Sequence, residues 1–306
     1  MSTRSYRAFQ VDAFTRTLFS GNPAGVVLDA DDLTDDEMQK LARELGRGDT
    51  AFISGPTGDD HDLRMRFFTS KCEVPFVGHA TVAAHFVRSS LGMPPGSPLR
   101  QLSGTGIVTI DIQAVDGATE VGMRLSAPRS AREMLPAELD AVLDALGVSH
   151  GDLDPRCPAE ICATGSTRMM LALRTPQSLS LLHPNLDTLA RLTPHLGAEG
   201  YFVFALTGDE REAKTESRMF CPAIGVPEDA VSGNAHGMLG AFLVRHHLLA
   251  SHDGVARFHG QQGRALGRPG EVRVEVQEYG GEAYSVRVAG NAVIVFETRI
   301  QLPSRG

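Results

Sequence analysis

The spacing of hydrophobic and polar residues alternates between two periods along the chain, which predicts strands interleaved with helices. Residues 7–14 alternate with the period of a half-buried strand. Residues 34–46 instead place apolar side chains on one helical face, after a threonine N-cap and an acidic first turn and before a glycine. Both patterns recur to the end of the sequence, and valine-rich runs indicate antiparallel pairs. We therefore expect a mixed α/β or α+β class rather than a purely parallel sheet.

The same patterns predict the remaining elements, with a turn at 20–23. Expected strands are 24–28, 51–53, 63–68, 106–113, 120–126, 168–174, 201–206, 271–277, 283–288 and 292–300, and expected helices are 80–89, 137–146, 185–193 and 235–247. Proline and polar residues concentrate at 126–136, where the regular pattern lapses and a domain boundary is expected. This boundary gives an N-terminal domain at 1–128, with the last strand at about 292–306 as a candidate addition, and a C-terminal domain at 129–291.

The net charge of the 306 residues is −8, from 29 basic and 37 acidic side chains. This balance argues against nucleic acid or an anionic membrane as a partner, because both attract basic surfaces. The sequence has no apolar run long enough to span a bilayer, and it begins without the pattern of a signal peptide. Its four cysteines form no Cys-x-x-Cys pair, which is typical of free thiols in a reducing compartment. These observations predict a cytoplasmic protein without a nucleic acid or membrane partner.

An internal repeat gives the strongest indication of function. Residues 66–81 read as an Arg-x-Phe strand, an irregular loop, a Gly-His-Ala turn and an apolar helix. Residues 218–236 repeat this order with a Gly-Asn-Ala turn. The two turn glycines, Gly78 and Gly233, lie 155 positions apart, close to half of the chain length. Similarity at such an offset indicates a duplicated unit, and we expect two similar domains that face each other.

The repeat predicts a binding site for a small anion. Each helix begins at a glycine, and its first amide N–H groups have no partner within the helix. Such a helix start carries partial positive charge and suits a carboxylate or an oxyanion. We expect Gly78, Ala80 and Gly233 to line one cleft and to bind a small anionic metabolite, without a metal or a nucleotide.

Polar residues beside these glycines are candidates for catalysis. His79 is a candidate acid/base group, although the same position suits a capping or buried structural histidine. Asp229 and its neighbour Glu228 precede the second turn, where a carboxylate would orient His79 or bind an amine, or else form an ordinary solvated loop. Asn234 is the polar residue of the second turn and a candidate ligand contact. Gly165, in a turn before a strand, is a further candidate for lining the cleft.

Four groups of residues occur together and in one order along the chain. They are 9–15 with 20–27, 38–44 with 49–52, 66–81, and 218–236. In this combination the sequence resembles the PhzF-like isomerase family of phenazine biosynthesis, which shares the duplicated fold of diaminopimelate epimerase. The resemblance implies two similar, pseudo-symmetric domains, each with a curved and mostly antiparallel sheet around a central helix.

The resemblance also implies a cofactor-free isomerase that forms a homodimer. The best-known member moves a proton within trans-2,3-dihydro-3-hydroxyanthranilate, where a glutamate takes it from one ring carbon and returns it to another. The matching residue here is Asp49, which read alone is a turn residue before a strand. Aspartate is one methylene shorter, so the backbone lies closer to the ligand, the substrate differs, or Asp49 is not the base. The other family site positions fall on Gly78, His79, Asp229 and Gly233.

Two departures bear on the substrate and on rival mechanisms. Asn234 occupies a position where the family commonly has serine, which indicates a different ligand. The epimerases place a cysteine before each turn glycine, whereas this chain has Val77 and Ser232 there, so racemisation by two cysteines is not expected. The expected function is proton transfer on a small carboxylate-bearing substrate, such as a cyclic amino acid of the dihydro-hydroxyanthranilate type. The alternatives are a non-catalytic small-anion-binding protein and a racemase or epimerase with a non-cysteine base.

Rival enzyme classes lack their sequence signatures. The eleven histidines include no His-Glu-x-x-His motif, which argues against a metal hydrolase. No Gly-x-Ser-x-Gly elbow indicates a serine hydrolase. Neither Gly-x-Gly-x-x-Gly nor a P-loop indicates a nucleotide-binding protein.

Overall fold

The computed structural model describes residues 3–46, 48–93, 98–128, 130–164, 166–208 and 214–304. Proximity of Cα atoms divides the chain into two compact units. Unit 1 comprises Met1–Arg124 and Ala289–Gly306, and unit 2 comprises Leu125–Val288. The final segment of the chain therefore belongs to the first unit.

Unit 1 is built around a mostly antiparallel sheet. Its strands are β1 (Thr3–Ala13), β2 (Asn22–Val27), β3 (Asp49–Ser54), β4 (Leu63–Phe68), β5 (Glu73–Val74), β6 (Leu99–Ser103), β7 (Gly106–Val115), β8 (Ala118–Ser126) and the last strand of the chain, β19 (Ala292–Pro303). The order across the sheet is β19-β1-β2-β3-β4-β6-β7-β8, in which only the β2–β3 and β4–β6 pairs are parallel. Strand β5 pairs with β4 and leads into the helix that carries the first turn glycine.

Two helices complete unit 1, α1 (Asp35–Leu45) and α2 (Gly78–Ser90). Helix α1 has the expected ends, because Thr34 and Glu37 form a capping box and Gly46 adopts a left-handed conformation at the C-terminus. Helix α2 is the central helix, and seven of its thirteen residues are buried. It begins at Gly78, two residues before the expected start.

Unit 2 repeats the combination of a sheet with a central helix. Its strands are β9 (Ser130–Glu133), β10 (Glu160–Ala163), β11 (Thr167–Leu173), β12 (Gly200–Thr207), β13 (Lys214–Cys221), β14 (Val226–Asp229), β15 (Ser251–His252), β16 (Val255–Gln262), β17 (Gly270–Tyr279) and β18 (Glu282–Gly290). Its helices are α3 (Pro136–Leu146), α4 (Pro176–Ser180), α5 (Leu186–Leu196) and α6 (Gly233–Arg245). The pairs β11–β12 and β13–β16 are parallel, whereas β9–β10, β10–β11, β12–β13, β13–β14, β15–β16 and β16–β17 are antiparallel.

Helix α6 is the central helix of unit 2, and eleven of its thirteen residues are buried. Gly240 allows close packing against the sheet, because a Cβ there would lie 2.7 Å from a methyl group of Val276.

The strands and helices of both units confirm the expected mixed α/β class, with a mostly antiparallel sheet around a central helix. Among the described helices, none has both the length and the apolar character needed to cross a bilayer.

The expected turn at 20–23 is wrong in its second half. Asn22 and Pro23 are the first residues of β2, where they pair with Ala13 and Asp12 of β1. Proline is compatible with this position because it lies at the start of the strand, where loss of an amide donor is tolerated. The Ser20-Gly21 half remains outside the strand, and Gly21 has the positive φ that a turn requires.

Candidate functional site

Arg66 of β4 holds the loop before α2 in place, because it contacts both a ring of its own strand and a carboxylate of β5. The Arg66 guanidinium lies 5.2 Å above the Phe68 ring. The same guanidinium donates two hydrogen bonds, both 2.7 Å long, to the carboxylate of Glu73 in β5. These contacts fix the chain segment that leads to Gly78 and explain why the Arg-x-Phe motif precedes the turn.

Asp49 and His79, both predicted as catalytic residues, lie together in unit 1. Asp49 is the first residue of β3, and His79 is the second residue of α2. Their Oδ2 and Nε2 atoms are 3.8 Å apart, and their side chains are 27% and 13% exposed. Within the described part of the chain, the buried Nε2 atom has no hydrogen-bond partner. This geometry places an imidazole nitrogen without a hydrogen-bond partner beside a partly buried carboxylate, an arrangement suited to acid/base chemistry.

The first amides of α2 are open to an anion. Val77, the N-cap residue, supplies no side-chain acceptor, and the first turn has no acidic residue. The Thr81 amide and hydroxyl both donate to the Val77 carbonyl, at 3.0 and 2.9 Å. The preceding N–H groups of Gly78, His79 and Ala80 have no described acceptor, as is usual for an uncapped helix start.

Unit 2 contains the same anchoring contacts. The Arg218 guanidinium lies 5.0 Å above the Phe220 ring and donates to both oxygens of Glu228, at 2.9 and 2.8 Å. It also donates to the carbonyls of Leu179 and Leu182, at 3.1 and 2.8 Å. Glu228, considered above as a ligand-binding carboxylate, is therefore the counterpart of the structural Glu73.

The start of α6 is capped, in contrast to α2. The Ser232 hydroxyl accepts from the Ala235 amide at 3.4 Å. The side chain of Gln262 in β16 connects this turn with the end of β14, since it accepts from the Ser232 amide at 3.1 Å and donates to the Asp229 carbonyl at 2.7 Å. The turn that carries Gly233 thus has a fixed position relative to Asp229, the third predicted catalytic residue.

Asn234 is also held by its neighbours. Its side-chain amide donates to the Ser166 hydroxyl at 2.7 Å, which connects the start of α6 with the loop before β11. Gly165, predicted to line the site, lies outside the described residues. Its neighbour Ser166 reaches the second turn through this hydrogen bond.

His236 is a positioning residue that the sequence interpretation missed. Its Nδ1–H donates to the Ser232 carbonyl at 2.7 Å, as Thr81 does to Val77 in unit 1. Complete burial lowers the pKa of His236 to about 4, so the imidazole is neutral at pH 7. A Cβ at Gly260 would lie 2.0 Å from the ring, so a glycine is needed there. The equal offset of His236 and Thr81 from the turn glycines was a signal available in the sequence.

The cysteines do not supply a pair of reactive thiolates. Burial raises the pKa of Cys221 to about 12 and that of Cys162 to about 11, so both are thiols at neutral pH. Cys72 is exposed in the loop before β5. Among the described residues, no three histidine, cysteine or acidic side chains are grouped as a metal site would require.

A family model described as a phenazine biosynthesis-like protein, PhzC-PhzF, matches residues 11–298. The chain therefore belongs to the PhzC-PhzF family, as the sequence motifs indicated. Members of this family that resemble the chain are named isomerases, and the protein is an enzyme of that class.

Individual relatives resemble the chain over nearly its full length. An uncharacterized isomerase of Clostridium acetobutylicum is 38% identical, and the alignment covers 98% of this chain and 99% of the relative. The trans-2,3-dihydro-3-hydroxyanthranilate isomerase of Pseudomonas aeruginosa is 31% identical, and the alignment covers 97% of this chain and 100% of that enzyme. A solved PhzF-family structure from Bacillus anthracis is 29% identical, with a TM-score of 0.86 and coverage of 97% and 99%. Solved epimerase and racemase structures share the fold at low identity, which confirms the expected epimerase-like architecture.

Proposed function

We propose that this protein is a cofactor-independent isomerase that moves a proton between two carbons of a small carboxylate-bearing substrate. A cyclic amino acid of the dihydro-hydroxyanthranilate type is the proposed substrate class, since one relative is named for that activity. The observation that carries the proposal is the Asp49–His79 pair at 3.8 Å, beside the uncapped amides of α2. A binding module would need the amides but not the adjacent acid/base pair.

In the proposed mechanism, the N–H groups of Gly78 and Ala80 hold the substrate carboxylate. The turn at Gly233 and Asn234, in unit 2, is proposed as a further polar binding element. Holding the substrate carboxylate at the start of α2 would place an acidic C–H bond against the Asp49 carboxylate, and this orientation supplies part of the rate acceleration.

Asp49 then removes the proton from a carbon next to the unsaturated system, and the electron pair delocalises into that system. The proton returns to a second carbon of the same system, so the product is an isomer and no oxidant or reductant is needed. His79 stabilises the charge that develops, because its Nε2 is free to carry or donate a proton.

Solvent hydrogen exchange tests this proposal. The protein is incubated in heavy water with trans-2,3-dihydro-3-hydroxyanthranilate and with a set of small cyclic and aliphatic amino acids, and products are analysed by NMR and mass spectrometry. We expect double-bond migration or carbon-bound deuterium for at least one compound, unchanged by prior dialysis against a metal chelator. A compound that binds tightly but neither isomerises nor exchanges would instead favour the non-catalytic anion-binding alternative.

A further inference from the structure

A cavity lies in unit 1, at the opposite end of α2 from the proposed active site. Its volume is about 250 Å³, and buried Leu28, Ile53 and Leu63 form its apolar lining together with the partly buried Met93. Arg88, in the last turn of α2, also lines it. Gly78 and Arg88 are ten positions apart, which corresponds to roughly 15 Å along the helix axis. The cavity is therefore distinct from the site at the helix start.

The Arg88 guanidinium has no described partner. Within the ranges that the structure covers, it makes no side-chain hydrogen bond or ion pair, and burial lowers its pKa without a neighbouring group that raises it. Arg245, in the last turn of α6 but two positions further from the turn glycine than Arg88, donates to the buried Glu160 at 2.8 Å. A partly desolvated cation without a partner is costly, and the helix C-terminus offsets only part of that cost. An anionic group of a ligand would supply what Glu160 supplies in unit 2.

Three carboxylates that line the cavity restrict the charge of a ligand that could bind there. Asp29, Asp31 and Asp62 all line the cavity and are exposed. Asp62 is paired with Arg100 at 2.9 Å, and Asp31 accepts from the Gly55 amide at 2.7 Å. These acids would repel a polyanion such as a nucleotide phosphate. They suit a molecule that carries one carboxylate and one ammonium group.

We propose that this cavity binds a small amino acid with an apolar side chain. Its carboxylate pairs with Arg88, its ammonium group lies toward Asp29 and Asp31, and its side chain contacts Leu28 and Leu63. The proposal does not depend on the function proposed for the site at the start of α2.

L-leucine is a suitable probe, with 4-methylpentanoate and 3-methylbutylamine as analogues that lack the ammonium or the carboxylate group. Binding is followed by isothermal titration and by the NMR signal of the Met93 methyl group in methionine-labelled protein, assigned with Met93→Leu. We expect L-leucine to shift the Met93 signal with a saturable dependence. Each analogue should bind about tenfold more weakly, because it loses one charge-assisted contact.

Variants locate the binding site. Arg88→Gln and Arg88→Met should each weaken L-leucine binding at least about tenfold, whereas Arg299→Gln, which removes an exposed charge of β19, should not. Two Arg88 variants are used so that poor folding of one leaves the test intact. Asp49→Asn, in the proposed active site, should leave binding at Met93 unchanged. The proposal is overturned if L-leucine does not move the Met93 signal, or if Asp49→Asn abolishes binding while Arg88→Gln retains it.

Discussion

The first turns of α2 and α6 share a scaffold and differ in chemistry. In each unit an arginine stacks on a phenylalanine two residues later and forms two hydrogen bonds with a glutamate of the following short strand. In each unit the side chain three residues after the turn glycine, Thr81 or His236, donates back to the carbonyl of the N-cap residue. The duplication has therefore kept the contacts that hold a helix start in position.

The difference lies in what surrounds the first amides. At α2 the N-cap Val77 provides no acceptor, and His79 lies beside Asp49. At α6 the hydroxyl of Ser232 caps the helix, and Asn234 is bound by Ser166. We infer that the first copy carries the acid/base chemistry and an open anion site, whereas the second copy supplies oriented hydrogen-bonding groups. Variants of the residues at each helix start distinguish the two copies.

Asp49→Asn should have the largest effect. The amide keeps the shape of the side chain but cannot remove a proton, so kcat should fall by about 10²- to 10⁴-fold. Turnover and deuterium incorporation are measured with the compound identified by the exchange experiment. Substrate binding should be largely retained, because the variant leaves the amides of α2 in place.

Two further variants control this prediction. Asp36→Asn removes an exposed carboxylate of the α1 first turn and should leave kcat unchanged. Asp49→Glu restores the side-chain length that the family resemblance implies, and its rate would show whether the backbone at this position suits the shorter acid. Full exchange activity in Asp49→Asn would contradict the assignment of the base to unit 1.

The anchoring arginines should differ in their contribution to stability. The Arg218 and Glu228 side chains are only 12% and 11% exposed, whereas Glu73 and Asp35, the partners of Arg66, are 44% and 82% exposed. Arg218→Met leaves a buried carboxylate unpaired and should lower the free energy of unfolding by about 3 kcal/mol. Arg66→Met should lower it by about 1 kcal/mol, since water can solvate Glu73.

Urea unfolding of both variants measures the difference. Glu228→Gln, made in the Arg218→Met background, should recover part of the loss because it removes the unpaired charge. Equal losses in the Arg66 and Arg218 variants would show that burial does not distinguish the two copies.

Local sequence signals predicted the elements whose ends are set by neighbouring residues. Thr34, Glu37 and Gly46 define both ends of α1 within thirteen positions, and this prediction is confirmed. Strands β6 and β16 were missed because polar residues occupy their buried positions, such as Gln101 and Gln262. The role of Gln262 depends on hydrogen bonds to Asp229 and Ser232, about thirty residues away, which no local pattern contains.

For the candidate site, local sequence patterns predicted the two helix starts but not the contacts between distant residues. The repeat gave both helix starts, because glycine and its flanking residues recur at one offset. Asp49 was a turn residue by local criteria, and only the resemblance to a family marked it. Its approach to His79 arises from the pairing of β3 within the sheet of unit 1, a contact between residues thirty positions apart. The contact between Asn234 and Ser166, 68 positions apart, was likewise not predictable from local patterns.

Each unit contains a buried histidine whose protonation should make the free energy of unfolding depend on pH. Burial lowers the pKa of His85 in α2 and of His236 in α6 to about 4, below the ordinary value of 6.5. The unfolded chain therefore binds more protons between these values, and stability present above pH 6.5 is lost as the pH falls toward 4. At pH 5 each histidine should lower the free energy of unfolding by about 2 kcal/mol relative to pH 7.

NMR titration of the imidazole C–H signals and urea unfolding at both pH values measure this effect. His252→Gln, at an exposed position, is the control and should leave the pH dependence unchanged. An ordinary titration of His236 near pH 6.5 in the folded protein would show that the interior of unit 2 is open to water.

Changing the N-cap residues of α2 and α6 should have the smallest effect on the free energy of unfolding. These variants test the difference between the two helix starts most directly. Ser232→Ala removes the cap of α6 and should cost about 1 kcal/mol of stability. Val77→Thr, which preserves side-chain shape, would place a hydroxyl where it can accept from the Ala80 amide, as Ser232 does from Ala235. If the substrate carboxylate uses that amide, the hydroxyl competes with it, and KM should rise several-fold while kcat changes little. Steady-state kinetics of the two variants, with unfolding curves beside them, separate the effects. An unchanged KM in Val77→Thr would mean that the open start of α2 does not hold the substrate anion.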